Sequence, residues 1–249
     1  YELPQAGRTA RGKPIVNLLP LSEGERINAI LPVREYDDEH FIFFATQNGT
    51  VKKTPLKDFS RPRSSGIIAI ELREGDTLVG AELTTGDRDV MLFTSAGKCI
   101  RFNEADVRPM GRASVGVRGI KMQNEQKVIS LIIEGPGYVL TATENGYGKR
   151  TAIEDYPRHG RGGMGIISIQ TTARNGDVTG AERVAEDDEI MLITTSGTLV
   201  RTHVNEISVM GRNTQGVRLI SLGADEKLSG IERIESIQEV EADAETEQA

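Results

Sequence analysis

A motif that is written more than once along the chain constrains the fold more than any other feature. Residues 107–118 read VRPMGRASVGVR and residues 207–218 read ISVMGRNTQGVR, so both contain Met-Gly-Arg, three variable residues and Gly-Val-Arg. Residues 156–167, YPRHGRGGMGII, form a looser copy with a glycine at the same place. These glycines, together with Gly66 in an earlier and shorter loop, are 50, 49 and 51 residues apart. The chain is therefore built from repeats.

A polar turn between two apolar runs recurs with the same period. The turn pairs are Asn48-Gly49, Ala96-Gly97, Asn145-Gly146 and Ser196-Gly197. Asn-Gly or Ser-Gly between strand-like runs predicts a hairpin, because glycine adopts the positive φ that a two-residue turn requires. A third apolar segment follows in each repeat, at residues 76–81, 127–131, 177–181 and 227–231. Further strands are predicted at residues 26–33, 67–72 and 166–169, which gives about four strands per repeat.

Repeats of this length with four strands each are typical of a propeller-like array, in which each blade buries its faces against its neighbours. Helical solenoids are disfavoured, because no sustained apolar spacing of 3.6 residues is present. We therefore predict an all-β domain of about five blades over residues 1–234, with the first repeat lacking its hairpin. The absence of Trp argues against the WD type of propeller. Residues 235–249 are predicted to be an acidic, disordered tail.

The net charge of −7 is distributed unevenly. Residues 232–249 contain seven acidic residues and one arginine, so they carry −6 and the rest of the chain carries −1. A nearly neutral body is compatible with an anionic partner. The single cysteine, Cys99, lies in an apolar run and is predicted to be a buried small hydrophobe, not a reactive thiol. No signal peptide or stretch of membrane-spanning length is visible, so we expect a cytoplasmic protein.

Cations recur at equivalent places in the repeats. Each turn glycine is followed four residues later by a cation, namely Lys53, Arg101, Arg150 and Arg201. Other basic residues stand in the same hairpins or in the loops before the second glycine: Lys52, Lys98, Lys149, Arg8, Arg11, Lys13, Arg61, Arg63, Arg108, Arg112, Arg158, Arg161 and Arg212. We predict that these residues form a basic rim that binds an anionic polymer. The alternative is that long cations at strand ends only cover apolar surface.

Four segments carry a resemblance to a known family: residues 8–20, 143–151, 201–208 and 210–217, the last reading MGRNTQGV. They resemble the C-terminal domain of the bacterial DNA gyrase A subunit, and the resemblance extends from Tyr1 to about residue 235. It implies a β-pinwheel of six blades with strands exchanged between neighbours. It also implies a basic rim that bends and wraps double-stranded DNA and thereby supports negative supercoiling. The family's basic glycine heptad is absent, so the chain looks like this domain without its first blade.

The resemblance also bears on chemistry and partners. It implies no catalytic residue, metal or cofactor in this domain, with ATP and Mg bound by other domains of the holoenzyme. It implies a heterotetramer of A and B subunits at the nucleoid, no membrane, and an isolated domain that is monomeric. The residues agree, because His40, His159 and His203 lack zinc-ligand spacing and residues 158–165 lack the Gly-Lys-Ser/Thr ending of a phosphate loop.

Several alternatives remain open at this level. The topoisomerase IV C-terminal domain would share the fold and DNA binding. A protein-interaction propeller would bind through its faces, with weak salt dependence, and a propeller enzyme has less support. The acidic tail either competes with DNA for the rim or is a solvated end. In the DNA-binding interpretation we expect little base readout, because phosphate contacts fix position and carry no sequence information.

Overall fold

The computed structural model describes residues 7, 9–17, 19, 21, 24–63, 65–123 and 125–234. These residues form fifteen β-strands and five short 3-10 helices, and no α-helix occurs among them. The strands are β1 (Phe41–Thr46), β2 (Thr50–Pro55), β3 (Leu78–Thr84), β4 (Asp89–Thr94), β5 (Lys98–Asn103), β6 (Val117–Arg118), β7 (Val128–Ile133), β8 (Tyr138–Thr143), β9 (Tyr147–Ala152), β10 (Ile166–Ile167), β11 (Val178–Val184), β12 (Glu189–Thr194), β13 (Leu199–His203), β14 (Val217–Arg218) and β15 (Leu228–Ile234). The 3-10 helices are Ile15–Asn17, Leu56–Phe59, Glu104–Asp106, Ile153–Asp155 and Val204–Glu206. The all-β prediction is confirmed.

The strands form four sheets, which are divided between two compact units. Unit 1 comprises the described residues up to Glu134 together with Pro157–Ile166, and unit 2 comprises Gly135–Tyr156 and the described residues from Ile167 onward. Unit 1 contains the sheets ordered β3-β1-β2-β6 and β10-β5-β4-β7. Unit 2 contains the sheets ordered β11-β8-β9-β14 and β13-β12-β15. Each sheet is one propeller-like blade.

The predicted hairpins are all present. In each blade two antiparallel strands flank the predicted turn, and the third predicted strand pairs with the first strand of the hairpin. The turn glycines Gly49, Gly97, Gly146 and Gly197 have φ values of 79°, 73°, 80° and 83°. Because this left-handed conformation is unfavourable for residues with a Cβ, the repeated glycine explains why each hairpin turns where it does.

Strands are exchanged between successive repeats, as the family resemblance implies. The two-residue strand β6 follows the β4–β5 hairpin but pairs with β2 of the hairpin before it, so that Val117 lies opposite Val51. In unit 2, β14 pairs with β9 in the same way, with Arg218 opposite Tyr147. The repeated motif is therefore the segment that completes the sheet of an earlier hairpin. We call residues 107–118, 157–167 and 207–218 the exchange segments.

The predicted strands at residues 26–33 and 67–72 are wrong. Leu31, Val33 and Ile70 are partly buried against a small apolar cluster of unit 1, but their backbone has no strand partner. Apolar residues that contact a core can thus imitate a strand in the sequence without joining a sheet. The described residues also contain four blades where about five were predicted, and only three of these have four strands. The acidic tail, residues 235–249, lies outside the described residues.

Each unit has its own apolar core of aliphatic residues with few aromatics. In unit 1 the core contains Phe43, Leu92 and Phe102, with the two rings 6.3 Å apart between centroids. In unit 2 it contains Leu140 and Leu192. Cys99 is buried, as predicted. Within the part of the chain that the structure describes, no helix has the length and apolar character needed to cross a membrane.

The close backbone approach at the exchanged strands predicts a specific sensitivity to substitution. Gly116 has a φ of 108°, and a Cβ there would lie 2.4 Å from the carbonyl oxygen of Val51. Gly116→Ala should therefore lower the free energy of unfolding by roughly 2–4 kcal/mol, through backbone strain and overpacking. Chemical denaturation measures this change. The control is Gly111→Ala in the same segment, where a Cβ meets nothing within 4 Å, and equal losses in both variants would contradict the prediction.

Candidate nucleic-acid interface

The cations that follow the turn glycines are mostly internal. Lys53 is only 4% exposed. Its ammonium group donates to the carbonyl oxygen of Glu104 at 2.9 Å and lies 5.1 Å from the ring centroid of Phe41. Arg150 is equally buried, with its Nε donating to the carbonyl oxygen of Ile207 at 2.7 Å and its guanidinium 4.9 Å from the ring centroid of Tyr138. Both side chains are buried, whereas the sequence analysis placed them on an exposed rim.

The other two members of this set are engaged in ion pairs. Arg101 is 13% exposed and binds Asp89 at 2.8 Å and Glu134 at 2.7 Å. Burial acts to raise the pKa of Asp89, but hydrogen bonds from Arg101 and Arg158 hold it below its ordinary value. Arg201 is 58% exposed and its Nε donates to Glu189 at 2.7 Å. Arg201 alone among the four presents much of its side chain at the surface.

Two more of the predicted cations are fully buried and hold the exchange segments in place. Lys52 is 0% exposed and donates to the carbonyl oxygens of Ala69, at 2.7 Å, and Arg112. Lys149 is also 0% exposed and donates to the carbonyl oxygens of Gly211, at 2.5 Å, and Arg212, at 2.6 Å. Burial, followed by the nearby Arg112 or Arg212 charge, lowers the pKa of each lysine to about 8. Both lysines therefore lie inside the fold and not on the exposed rim in which the sequence analysis placed them.

The Met-Gly-Arg triplet makes further hydrogen bonds beside those of the buried lysines. In unit 1 the backbone N–H of Met110 donates to the carbonyl oxygen of Lys53 at 2.8 Å, and Arg112 Nη1 donates to the carbonyl oxygen of Ile68 at 3.1 Å. In unit 2, Met210 bonds to Arg150 at 2.8 Å and Arg212 bonds to Ile167 at 2.8 Å. The triplet thus joins an exchange segment both to the hairpin and to the preceding loop. These bonds explain why the same triplet recurs in both units.

Most of the predicted cations that are exposed lie in the exchange segments or in the equivalent loops. The exposed members of the predicted set there are Arg11, Lys13, Arg61, Arg63, Arg108, Arg158 and Arg161, while Arg112, Arg212 and the hairpin residue Lys98 are partly exposed. Arg8 lies outside the described residues. In unit 1, Arg61, Arg63 and Arg112 line one concave surface together with Ser114. These residues are the candidate interface.

Backbone carbonyls orient several of these guanidinium groups. Arg161 donates through Nε to the carbonyl oxygen of Asp106 and through Nη1 to that of Arg118, both at 2.9 Å. Arg112 is held by Ile68, as described above. Because a guanidinium has five N–H donors, these bonds leave donors available for an external acceptor such as a phosphate. Each of these bonds therefore fixes the orientation of the guanidinium group and leaves other N–H donors of the same group available.

Sequence reasoning missed two exposed arginines at the ends of the repeated motifs. Arg118 lies opposite Thr50 and Arg218 lies opposite Tyr147 in the exchanged pairings. The signal was present, because both copies end in Gly-Val-Arg. Among the described residues, no group of three or more His, Cys, Asp and Glu could hold a metal ion.

Hairpin sheets completed by exchanged strands, with arginines on the exchange segments, define a propeller-like repeat domain with a basic surface. The family described as "DNA gyrase C-terminal domain, beta-propeller" matches residues 1–34, 40–85, 88–133, 137–185 and 188–235. The chain belongs to this family of DNA gyrase C-terminal domains. The five matched segments correspond to five repeats, of which the last four contain the observed sheets.

Relatives and solved structures agree with this assignment. The DNA gyrase A subunit of Salmonella typhimurium is 58% identical over 246 residues, covering 98% of this chain and 28% of that protein. The DNA gyrase A subunit of Escherichia coli is 55% identical over 235 residues, covering 94% of this chain and 27% of that protein. The chain thus spans little more than a quarter of these relatives.

A solved structure of a DNA gyrase A C-terminal domain has a TM-score of 0.80 and 27% identity, and the match covers 91% of this chain and 76% of that one. The C-terminal domain of a DNA topoisomerase IV has a TM-score of 0.85, with 90% of this chain and 71% of that chain covered. Its identity is 24%, so this second likeness shows the fold alone.

The buried lysines predict an unusual pH dependence of stability. Lys149 has a folded-state pKa of about 8, against 10.5 for the free side chain. Between these two values the unfolded chain binds more protons than the folded chain, so the free energy of unfolding should rise with pH relative to a Lys149→Met variant. Chemical denaturation at pH 8 and at pH 10.5 measures the difference between the two proteins.

The matched control is Ile100→Met, which stands at the equivalent position of the β4–β5 hairpin and is also buried. Because neither isoleucine nor methionine titrates, the difference between this variant and the parent should not change over the same pH interval. A parallel change in both comparisons would show that Lys149 is not the source.

Proposed function

We propose that this chain binds and bends double-stranded DNA without sequence specificity, through the exposed cations of its exchange segments and loops. The observation that carries the proposal is the arginine-lined concave surface of unit 1, where Arg61, Arg63 and Arg112 meet. Membership of the gyrase C-terminal family supports the choice of DNA as the anionic polymer.

The physical chemistry of DNA bending favours repeated contacts of this kind. Each phosphate neutralised by Lys or Arg releases condensed counterions, which contributes about −0.9 to the slope of log K against log salt concentration. Bending a site of 20–30 base pairs by 40–90° costs on the order of 1–6 kcal/mol, so several contacts are needed to offset it. Cations that recur with the repeat supply such contacts. Arginines fixed by carbonyl bonds lose less freedom on binding than free side chains do.

The two classes of cation then have different roles. The DNA-contacting set comprises Arg11, Lys13, Arg61, Arg63, Lys98, Arg108, Arg112, Arg158, Arg161, Arg201 and Arg212. Lys52, Lys53, Arg101, Lys149 and Arg150 instead stabilise the scaffold that carries this set.

In the complete protein we infer a wider role. The domain would belong to the A subunit of a DNA gyrase, which assembles with the B subunit in the bacterial cytoplasm, at the nucleoid. It would present wrapped DNA for negative supercoiling while ATP, Mg and the catalytic groups are held by other domains. We favour gyrase over topoisomerase IV, because the named gyrase relatives are 55–58% identical whereas the topoisomerase IV structure is 24% identical.

A salt-titrated DNA affinity measurement with a fluorescence bending readout tests this function. Substituting Arg61, Arg63 and Arg108 by Gln should make the slope of log K against log salt shallower by about 2.7 and should reduce bending, because three phosphate contacts are lost. The parent should show a steep slope and clear bending.

The matched control substitutes Lys57, Arg73 and Lys127 by Gln, which removes the same charge from exposed positions of unit 1 outside the candidate interface. This control should leave slope and bending nearly unchanged. Equal losses in the two triple variants would mean that binding depends on the total charge of the protein and not on the candidate interface. A parent with weak salt dependence would favour a protein-interaction domain instead.

A further inference from the structure

A second cluster of cations lies in unit 2 around a single tyrosine. Tyr147, the first residue of β9, is buried. The guanidinium carbon of Arg174 is 4.9 Å from its ring centroid and that of Arg218 is 5.7 Å from the same centroid. Arg218 Nη2 also donates to the tyrosine hydroxyl at 3.2 Å. Two arginines therefore share one aromatic ring.

The loop that carries Arg174 is built to hold this residue in place. The side chain of Asn175 is fully buried, donates to the carbonyl oxygen of Gln170 at 2.7 Å and accepts from the backbone N–H of Thr172 at 2.8 Å. Asn145 Nδ2 donates to the carbonyl oxygen of Arg174 itself at 3.1 Å. These bonds preorganise the loop, as expected of a recognition site and not of a freely solvated arginine.

The acidic side chains beside the cluster are occupied by other groups. Glu144 pairs with Lys227 at 3.3 Å. Glu226 accepts from Thr194 and from the backbone N–H of Gly223. Within the described part of the chain, neither Arg174 nor Arg218 forms an ion pair with a carboxylate. Hydrogen bonds from Arg218 and Arg174 lower the pKa of Tyr147.

An open cavity of about 320 Å³ adjoins this cluster. Its polar lining includes Asn145, Tyr147, Arg174, Arg218, Ser221, Lys227 and Glu226, whose carboxylate accepts from Thr194 and Gly223. Planar guanidinium groups match the geometry of phosphate oxygens. The equivalent pairing in unit 1 places Thr50 opposite Arg118, without an aromatic ring, so the cluster belongs to unit 2 and is not a consequence of the repeat.

We propose that Arg174 and Arg218 form a phosphate-binding site on unit 2, built from two arginines that the DNA-contacting set proposed above does not include. Tyr147 holds the two guanidinium groups at this site. The ligand is a phosphate group, either in the backbone of DNA or on a small phosphorylated molecule. The proposal does not rest on the DNA-binding function proposed above, because a free phosphate would use the same donors.

Two probes, inorganic phosphate and a DNA duplex, test the site on the intact chain. Phosphate binding is followed by calorimetry and by the NMR signals of ring-labelled tyrosine, and DNA binding by the salt slope. For a small-molecule site, Arg174→Gln and Arg218→Gln should each weaken phosphate binding at least tenfold and leave the DNA slope unchanged. For a DNA phosphate, each variant should make the slope shallower by about 0.9.

Arg183→Gln is the matched control, because it removes one arginine charge from unit 2 at a residue whose guanidinium bonds to the carbonyl oxygen of Pro136, outside the cluster. Arg174→Lys keeps the charge but loses the planar fork, so it should restore part of the affinity. Thermal unfolding verifies that each variant is folded. If the cluster variants match Arg183→Gln with both probes, the proposal is overturned.

Discussion

The fold depends on a close contact between two backbones, where an exchanged strand lies against an earlier hairpin. A hairpin alone leaves the N–H and C=O groups of its second strand unpaired, and such an edge is prone to pair with another chain. In this protein β6 and β14 cover those edges, and three features hold them there. A glycine permits the close approach, the backbone N–H of Met110 or Met210 donates to the hairpin, and a buried lysine donates to two carbonyl oxygens. Loss of any of these features would expose the edge again.

The repeats make the hairpins predictable from the sequence, but they do not show which cations are buried and which are exposed. The turn glycines correctly predicted all four hairpins, because residues with a Cβ rarely adopt the positive φ that such a turn requires. In contrast, Lys52 and Arg61 both looked like surface cations, yet only Arg61 is exposed. What separates them is the exchange segment that covers Lys52, and its position depends on a strand pairing that joins residues far apart in sequence. The resemblance to a family supplied the exchange, which the pattern of residues alone did not.

The errors have the same physical origin. Residues 26–33 alternate like a strand, but they join none of the sheets of the described residues, so apolar contact occurs without a ladder. The cluster at Tyr147 was missed for the opposite reason. It has no copy in the other hairpins, and a search for equivalent positions passes over a feature that occurs in one repeat only. Periodicity therefore finds the scaffold more readily than the sites that depart from it.

The internal cations still contribute to the surface potential, and they do so unequally. Lys53 and Arg101 lie near carboxylates, so their fields largely cancel at a distance. Lys52 and Lys149 donate to backbone carbonyl oxygens and form no ion pair with a carboxylate within the described residues, although Asp58 and Asp155 lie near enough to raise the pKa of the respective lysine. Because screening is weak where water is excluded, the field of these two lysines adds to that of the adjacent Arg112 and Arg212. The buried lysine that fixes each Met-Gly-Arg segment thus also adds to the positive potential of that segment.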